Sequence, residues 1–539
     1  MEWKNKKSIS IFFFYFIVQL ISAQSVNRYI IFFKDKTSAS YSVSQPQQFL
    51  SSRAIDRRSK QHIAITEEDF PVNATYVAQV KAMGAKTFFT SRWMNCLLVE
   101  TNAATVDQIK LLPFVSSTEF VAPNKKLSSS RIKKNRSKKE TSVAAATLGQ
   151  LQLIGLDEMQ ADGFTGEGIN IAVFDSGFPG VNTASSFQPI FQENRLVDSY
   201  DFIAKSGNVF DYDDHGTEVL SVIGAYAENS FTGGAYKARF QLYVTEDVGS
   251  EYRIEEYNWL FAAERADSVG ADVINSSLGY NEFDDASMDY TKDQLDGKTA
   301  VISRAAGKAI SKGMVVVCSA GNEGSNAWKL VTPPADVDGI LAIGSVTSAG
   351  ARSTFSSVGP TYDKRIKPDV MALGSGTSVI RPSGTIGTES GTSVASPLIA
   401  SMAAGILQAH PGISVQEVYR SIIRSASQAL KPDNQKGYGI PAYTGVKEYF
   451  KISSYEEEIT IYPNPVTSTS VSIAIKNPSG EAIQVVIYNT EGKIVLEAST
   501  IVYWLNNPVL YDLSSFAPGI YVVKVISGQN SKTMRLVKS

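Results

Sequence analysis

The sequence predicts an α/β protein. Its middle should form a doubly wound, mostly parallel sheet, with a small α+β module before it and a β-sandwich after it. Two observations carry the central part. Between about Leu148 and Tyr449, short apolar runs recur at Ile169–Asp175, Phe240–Val244, Ala271–Ser276, Met314–Ser319 and Ile340–Gly344. Helical patterns lie among them, over Val219–Ala227, Ile254–Val269, Thr299–Lys312 and Ser393–Ala409. Continuously apolar strands alternating with helices belong to a parallel sheet covered on both faces. A third observation bounds the architecture. The chain has 539 residues and is 43% hydrophobic, enough for several cores at roughly 100–200 residues per domain.

The flanking elements follow in order. Arg28–Lys34 reads as a strand, Gln47–Lys60 as a polar helix, and Ala74–Met83 as a second helix. Thr87–Thr90 and Cys96–Glu100 read as paired strands, Thr105–Leu112 as a helix and Thr118–Val121 as a closing strand. After the α/β region come about seven short strands: Glu458–Tyr462, Ser470–Lys476, Ala482–Asn489, Lys493–Ala498, Val509–Leu513, Gly519–Ser527 and Ser531–Lys538. Turn sequences such as Pro463-Asn-Pro465 and Glu491-Gly492 separate them, which is the signature of a sandwich.

The amino terminus reads as an address. Lys4, Lys6 and Lys7 precede an apolar run from Ile11 to Ile21, and small residues precede Gln24. That is a signal-peptide pattern. The run is shorter than the roughly 20 residues a spanning helix needs, so no stable membrane span is expected. Lys125–Lys139 is basic and serine-rich, without apolar periodicity, and reads as an exposed linker open to proteolysis. The expected divisions are 1–23, signal peptide; 24–123, α+β module; 124–147, basic linker and maturation region; 148–450, α/β domain; and 451–539, β-sandwich.

Charge and rare residues narrow the function. Fifty-one basic residues against 53 acidic ones argue against a dedicated nucleic-acid binder. Two cysteines exclude a disulfide scaffold or a multi-cysteine metal site. Of three histidines, His215 alone stands in a polar stretch at a helix start, within Asp213-Asp214-His215-Gly216-Thr217. Asp175 ends an apolar strand, where functional groups of open α/β sheets gather. Ser393 opens a helix among small residues, and Asn322 follows the strand Val315–Cys318. Each alone reads as well as a turn or cap. Together they supply what nucleophilic acyl transfer requires: a serine, a histidine to take its proton, a carboxylate to orient the histidine, and a donor for the oxyanion.

The words around these residues resemble the subtilisin-like serine proteases. They are Val-Phe-Asp175-Ser-Gly, Asp-His215-Gly-Thr, Ser-Ala-Gly-Asn322-Glu-Gly and Gly-Thr-Ser393-Val-Ala-Ser-Pro, in the chain order subtilisins use. Ala372-Leu373-Gly374 departs from the family, which often has proline in the middle. The resemblance implies a subtilisin-like fold and a secreted serine endopeptidase made as a preproprotein. Asp175 would orient His215, His215 would act as base and then acid, Ser393 would attack, and Asn322 with the Ser393 N–H would hold the oxyanion. Ser277, Leu278 and Gly279 would pair with substrate backbone, and Ala320 and Gly321 would line the first specificity pocket. Protein or peptide substrates are the implied partners.

Residues 24–123 resemble the propeptides of these proteases, which assist folding and inhibit the site. Tyr462-Pro-Asn-Pro465, Val486-Ile-Tyr-Asn489 and Pro518-Gly519-Ile520-Tyr521 resemble the sorting domain of the type IX secretion system. That machinery is then a further partner, and the destination is the medium or cell surface by way of the periplasm. No cofactor is required, and a structural calcium is compatible with the acidic stretch Glu282–Asp296, although its spacing fits no EF-hand. Two other readings remain open on sequence alone: a catalytically silent surface protein binding through its sandwich, and an acyl-transfer ligase using the same site.

Overall fold

A computed structural model describes residues 25–37, 41–123, 147–453, 459–467, 469–475, 482–501, 509–527 and 530–539. The expected signal peptide and the Lys125–Lys139 linker lie outside the described residues.

The first module is a four-stranded antiparallel sheet of β1 (Val26–Phe33), β2 (Lys86–Ser91), β3 (Cys96–Asn102) and β4 (Val115–Pro123), ordered β2-β3-β1-β4. Helices Ser52–Lys60, Ala74–Ala82 and Ala103–Ile109 complete it. Each starts at a side-chain cap: Ser51 accepts from Ala54, Asn73 from Thr75 and Asn102 from Thr105.

The central sheet holds β5 (Asn170–Asp175), β6 (Leu196–Asp201), β9 (Arg239–Val244), β10 (Val273–Ser276), β11 (Val315–Ser319), β12 (Leu341–Val346) and β13 (Val370–Leu373). A two-residue hairpin, β7 (Tyr226–Ala227) and β8 (Phe231–Thr232), lies outside it. The seven strands pair in parallel in the order β13-β12-β11-β10-β5-β9-β6. β5 is buried along its whole length, as its apolar run predicts. After β5 the chain lays β6 at one edge and returns to place β9 between them, and from β10 onward it builds outward on the other side, so the topological switch lies between β5 and β10. Ligand sites of doubly wound sheets form at such a switch. The helix Thr392–Ala409 has the length and hydropathy of a membrane span, yet 78% of it is buried, and it packs against β10, β11, β12 and β13.

Several elements go beyond the sequence expectation. β6 is half-exposed and polar, and the hairpin β14 (Ser375–Ile380) and β15 (Ile386–Ser390) was not anticipated. Helices Val415–Arg424 and Tyr443–Ser453 were also not anticipated, and the second runs past the expected boundary at residue 450.

The C-terminal strands are β16 (Ile459–Tyr462), β17 (Ser470–Ile475), β18 (Ala482–Tyr488), β19 (Ile494–Ile501), β20 (Val509–Asp512), β21 (Gly519–Ser527) and β22 (Asn530–Lys538). They form two antiparallel sheets, β16-β17-β20 and β19-β18-β21-β22, around a core drawn from Ile459 to Leu536.

The first module has a core of its own, around Ile31, Val80, Leu97, Val99 and Ile109, and packs its other buried side chains against the α/β domain. Ile30, Trp93, Cys96 and Leu98 belong to one apolar cluster with Trp259, Leu260 and Val301. Charge frames that contact. Asp267, fully buried, accepts from Arg57 at 2.5 Å, Arg58 at 2.7 Å and Arg92 at 2.6 Å. Glu264 accepts from the Ser91 hydroxyl and the Arg92 main chain, and Asp69 pairs with Lys312 at 3.0 Å. Both cysteines, Cys96 and Cys318, are free and buried.

Candidate active site

The site begins where β5 ends. Asp175, fully buried, lies at the carboxyl end of β5, and its Oδ1 is 2.8 Å from His215 Nδ1. The same oxygen accepts from the Ser176 N–H at 2.8 Å and hydroxyl at 3.1 Å. His215 is the first residue of the helix His215–Gly224. A Cβ on Gly216 would lie 2.3 Å from the Gly177 carbonyl oxygen and 2.9 Å from Asp175 Cβ. Only glycine lets this helix start press against the end of β5. Asp213 fastens the turn, its Oδ1 accepting from the His215 N–H at 3.0 Å and the Ser176 hydroxyl at 3.2 Å.

Ser393 is the second residue of the Thr392–Ala409 helix, so the positive end of the helix dipole faces it. Its carbonyl accepts from the Ser277 hydroxyl at 2.8 Å. A relay behind it, Asn275 Nδ2 to Ser277 Oγ at 3.3 Å and Ser396 Oγ to Asn275 Oδ1 at 2.9 Å, ties the helix start to the end of β10. Asn322 approaches from the turn after β11. Its Oδ1 accepts from the Thr392 N–H at 2.9 Å and hydroxyl at 3.0 Å, which leaves Nδ2 to face outward. A Cβ on Gly391 would lie 2.8 Å from Ser393 Oγ and 3.7 Å from Asn322 Nδ2. Glycine there keeps open the space that both groups face.

His215, Ser393, Asn322, Ser277, Leu278, Gly279 and Gly321 all border one cavity of about 250 Å³. Ala320 does not line it. It is fully buried, its N–H bonded to Ile343 and its carbonyl to Thr332. Ser277–Gly279 is not a regular strand, because no neighbour pairs with it; Leu278 and Gly279 have no main-chain hydrogen bond among the described residues.

The acidic stretch Glu282–Asp296 does not gather its carboxylates. Asp285 caps a turn at Ser287, Asp289 accepts from the Phe283 N–H, and Asp296 accepts from Lys298 and Thr299. Glu246, Glu251 and Glu255 come together instead, their nearest oxygens within 4.8 Å of one another. Glu246 and Glu251 also border the cavity. Burial first, then Glu251 and Asp175, push the Glu246 carboxyl well above the usual range. Burial followed by Glu251 and Glu246 does the same to Glu255. One turn beyond His215, burial and then Glu389 raise Glu218 to about 7, while Arg381 pairs with both carboxylates.

Sequence reasoning missed Asp213, Thr392 and this glutamate trio. Asp213 stands two residues before His215 and could have been read as its brace. The trio spans ten residues and a loop, so only the fold brings it together.

Three family models match successive parts of the chain. The model of the subtilase family matches residues 166–439, that of the peptidase S8 propeptide domain of Bacteroidota matches 28–141, and that of a secretion system C-terminal sorting domain matches 460–539. Subtilisin DY of Bacillus licheniformis is 30% identical over 278 residues, covering 51% of this chain and 90% of that protein. Subtilisin of Bacillus pumilus is 33% identical over 258 residues, covering 47% and 82%. Among solved structures, a cold-adapted subtilisin-like serine proteinase aligns at 26% identity with a TM-score of 0.41, over 52% of this chain and 90% of that one. On the family match over half its length and this identity to subtilisins, the chain belongs to the subtilase family and is a serine endopeptidase with a propeptide and a secretion sorting domain.

Proposed function

We propose that Asp175, His215 and Ser393 form the catalytic triad and that Asn322 Nδ2 and the Ser393 N–H form the oxyanion hole. The observation that carries the reading is the buried 2.8 Å pair of His215 Nδ1 and Asp175 Oδ1 beside the cavity that Ser393 also borders. Asp175 Oδ1 accepts a hydrogen bond from Nδ1–H, which fixes the tautomer and leaves Nε2 as the base. Ser393 Oγ attacks the substrate carbonyl as its proton passes to His215. The tetrahedral oxyanion is held by Asn322 and the helix-start N–H, and His215 then protonates the leaving amine; water, deprotonated by His215, attacks the acyl-Ser393 ester, and His215 returns the proton to Ser393 Oγ as the acid product leaves. The unpaired main chain of Leu278 and Gly279 gives an extended peptide an edge to bind, and Gly321 borders the cavity beside it. This chemistry uses no cofactor.

In this reading residues 24–123 inhibit the enzyme until cleavage within 124–147, residues 148–450 carry catalysis, and residues 451–539 direct export by the type IX machinery to the medium or cell surface. A serine-directed phosphonate tests the site: it should label Ser393 in the mature protein and fail to label the Ser393→Ala variant. A folded, processed protein that never labels would remove the assignment.

A further inference from the structure

We infer that Glu246, Glu251 and Glu255, with the hydroxyl of Tyr280, form a subsite that takes a lysine or arginine side chain of the substrate on the amino-terminal side of the scissile bond. The inference rests on the active-site reading above and names the substrate class of that site.

The cavity that holds His215 and Ser393 is bordered by four carboxylates, Asp213, Glu246, Glu251 and Glu323, and by no lysine or arginine. Asp213 braces the His215 turn, and Glu323 pairs with Asn326. Glu246 and Glu251 instead join Glu255 in the trio. Three carboxylates at such range repel one another, and their charge is stabilised by a cation between them.

A second observation points to the same place. Tyr280 is 1% exposed, and its hydroxyl has no hydrogen-bond partner among the described residues. Its ring stacks on Phe283, and the next residue, Asp284, bonds the Glu251 main chain, donating its N–H at 2.8 Å and accepting through Oδ2 at 3.4 Å. A buried hydroxyl without a partner costs free energy unless a ligand satisfies it. An ammonium has three donors and no acceptor, which suits a cage of carboxylate and phenol oxygens.

The same surroundings favour an organic cation over calcium. Calcium takes six to eight oxygen ligands. Here both Glu255 oxygens already accept main-chain N–H groups, from Asp247 at 3.3 Å and Tyr252 at 3.4 Å. The trio also opens onto the peptide cavity, where Val248 and Glu251 border the same space as Leu278 and Gly279. A peptide lying along Leu278 and Gly279 passes this acidic wall before it reaches Ser393.

The chain carries a matching peptide of its own. Pro123, the last residue of β4, borders a neighbouring cavity together with Asp247, Ser250 and Glu255. Residues 124–146, which follow it, contain eight lysines and arginines against the single acid Glu140.

The test compares peptides that carry lysine, its uncharged isostere norleucine, or glutamate at each position before the scissile bond, assayed with the mature enzyme. At one position kcat/KM for lysine should exceed that for norleucine by about ten-fold or more, with glutamate slowest. In Glu251→Gln and Glu246→Gln the lysine-to-norleucine ratio should fall to within about two-fold of unity. The ratio, rather than the rate, is read, so a general loss of activity does not mimic the effect. An active, phosphonate-labelled wild type with a ratio near one overturns the inference while leaving the triad in place. So does a ratio unchanged in both variants. Stoichiometric terbium binding that calcium displaces and Glu251→Gln abolishes would overturn it too, by making the trio a metal site. An unlabelled protein that cleaves none of the peptides would overturn both readings.

Discussion

The two ends of one helix, Ile254–Val269, hold buried carboxylates in opposite circumstances. Near its carboxyl end, Asp267 receives three guanidinium groups and Glu264 receives two N–H groups and a hydroxyl, all from the amino-terminal module. At its amino end, Glu255 is as buried as Asp267 but meets two other glutamates. The next residue, Glu256, is satisfied by the Tyr290 hydroxyl and the Ile302 N–H. Guanidinium groups meet the buried charge at one end, whereas at the other carboxylates are gathered against one another. A paired end suits a contact that must hold. An end that gathers three carboxylates beside the cavity suits a cation that arrives with substrate.

If one end holds the propeptide and the other region cuts it free, removing the nucleophile separates the two. Ser393→Ala should accumulate as an uncut proprotein lacking only its signal peptide, since His215 and Asp175 cannot replace the hydroxyl. Its mass on expression in a protease-deficient host checks this. Mature-sized protein from the variant alone would mean that another protease performs the cut.

The paired end breaks by a different change. Arg58 is fully buried between Asp69 and Asp267, at 2.8 and 2.7 Å. Removing one partner of a buried ion pair costs about 3–5 kcal/mol, because the other charge is left uncompensated. Arg58→Ala should therefore raise the inhibition constant of the released 24–123 module by roughly two to three orders of magnitude. An unchanged constant would place the inhibitory contact elsewhere.

Asn322→Ala sharpens the catalytic side. The variant should fold and lose about 10²–10³ in kcat, the cost known for one oxyanion donor in a subtilisin. Asn322 also anchors Thr392 through Oδ1. Asn322→Asp separates the two roles: it keeps an acceptor for Thr392 but places no donor at the oxyanion. Steady-state kinetics should show both variants impaired in kcat. Wild-type kcat in either removes the role.

How much of this was legible in the sequence follows from how local each feature is. Asp175, His215, Asn322 and Ser393 each sit in a short word whose neighbours are themselves needed: Gly216 for the close approach to β5, Gly391 for the open space at the serine. Five of the seven central strands were legible because burial on both faces makes them continuously apolar; β13, also buried, was missed because it is only four residues long. β6 was missed because an edge strand half-exposed along Leu-Val-Asp-Ser-Tyr-Asp carries no such run. The Glu246, Glu251 and Glu255 trio was hidden for the opposite reason. Each glutamate reads as a solvated charge at a loop or helix start, and only the chain path after β9 folds them together. The Asp267 cluster was hidden likewise, its arginines lying some 175 to 210 positions away in the sequence.

The smallest effect expected comes from a region outside the comparison. The C-terminal strands build their core from Ile459, Val466, Val471, Ile483 and their neighbours up to Leu536, all inside the last module. The first module, by contrast, adds to its own core a second apolar cluster shared with the α/β domain. None of the residues assigned to the triad, the oxyanion hole or the acidic wall lies beyond residue 453. Ending the chain after Ser453 keeps the helix Tyr443–Ser453 whole and removes both sheets. Among the described residues, that deletion takes away no hydrogen bond or ion pair to the site residues. Mature enzyme from the truncated gene should then match the full chain in kcat/KM to within about two-fold, since changes remote from a site leave its energetics nearly untouched. Its location should change, with activity retained in the periplasm rather than released. Comparing activity in the medium and in the periplasmic fraction reads both outcomes at once. Normal release of the truncated enzyme would end the sorting role. A large loss of kcat/KM would show that the terminal sheets support the catalytic domain, and would place them with the propeptide face rather than apart from it.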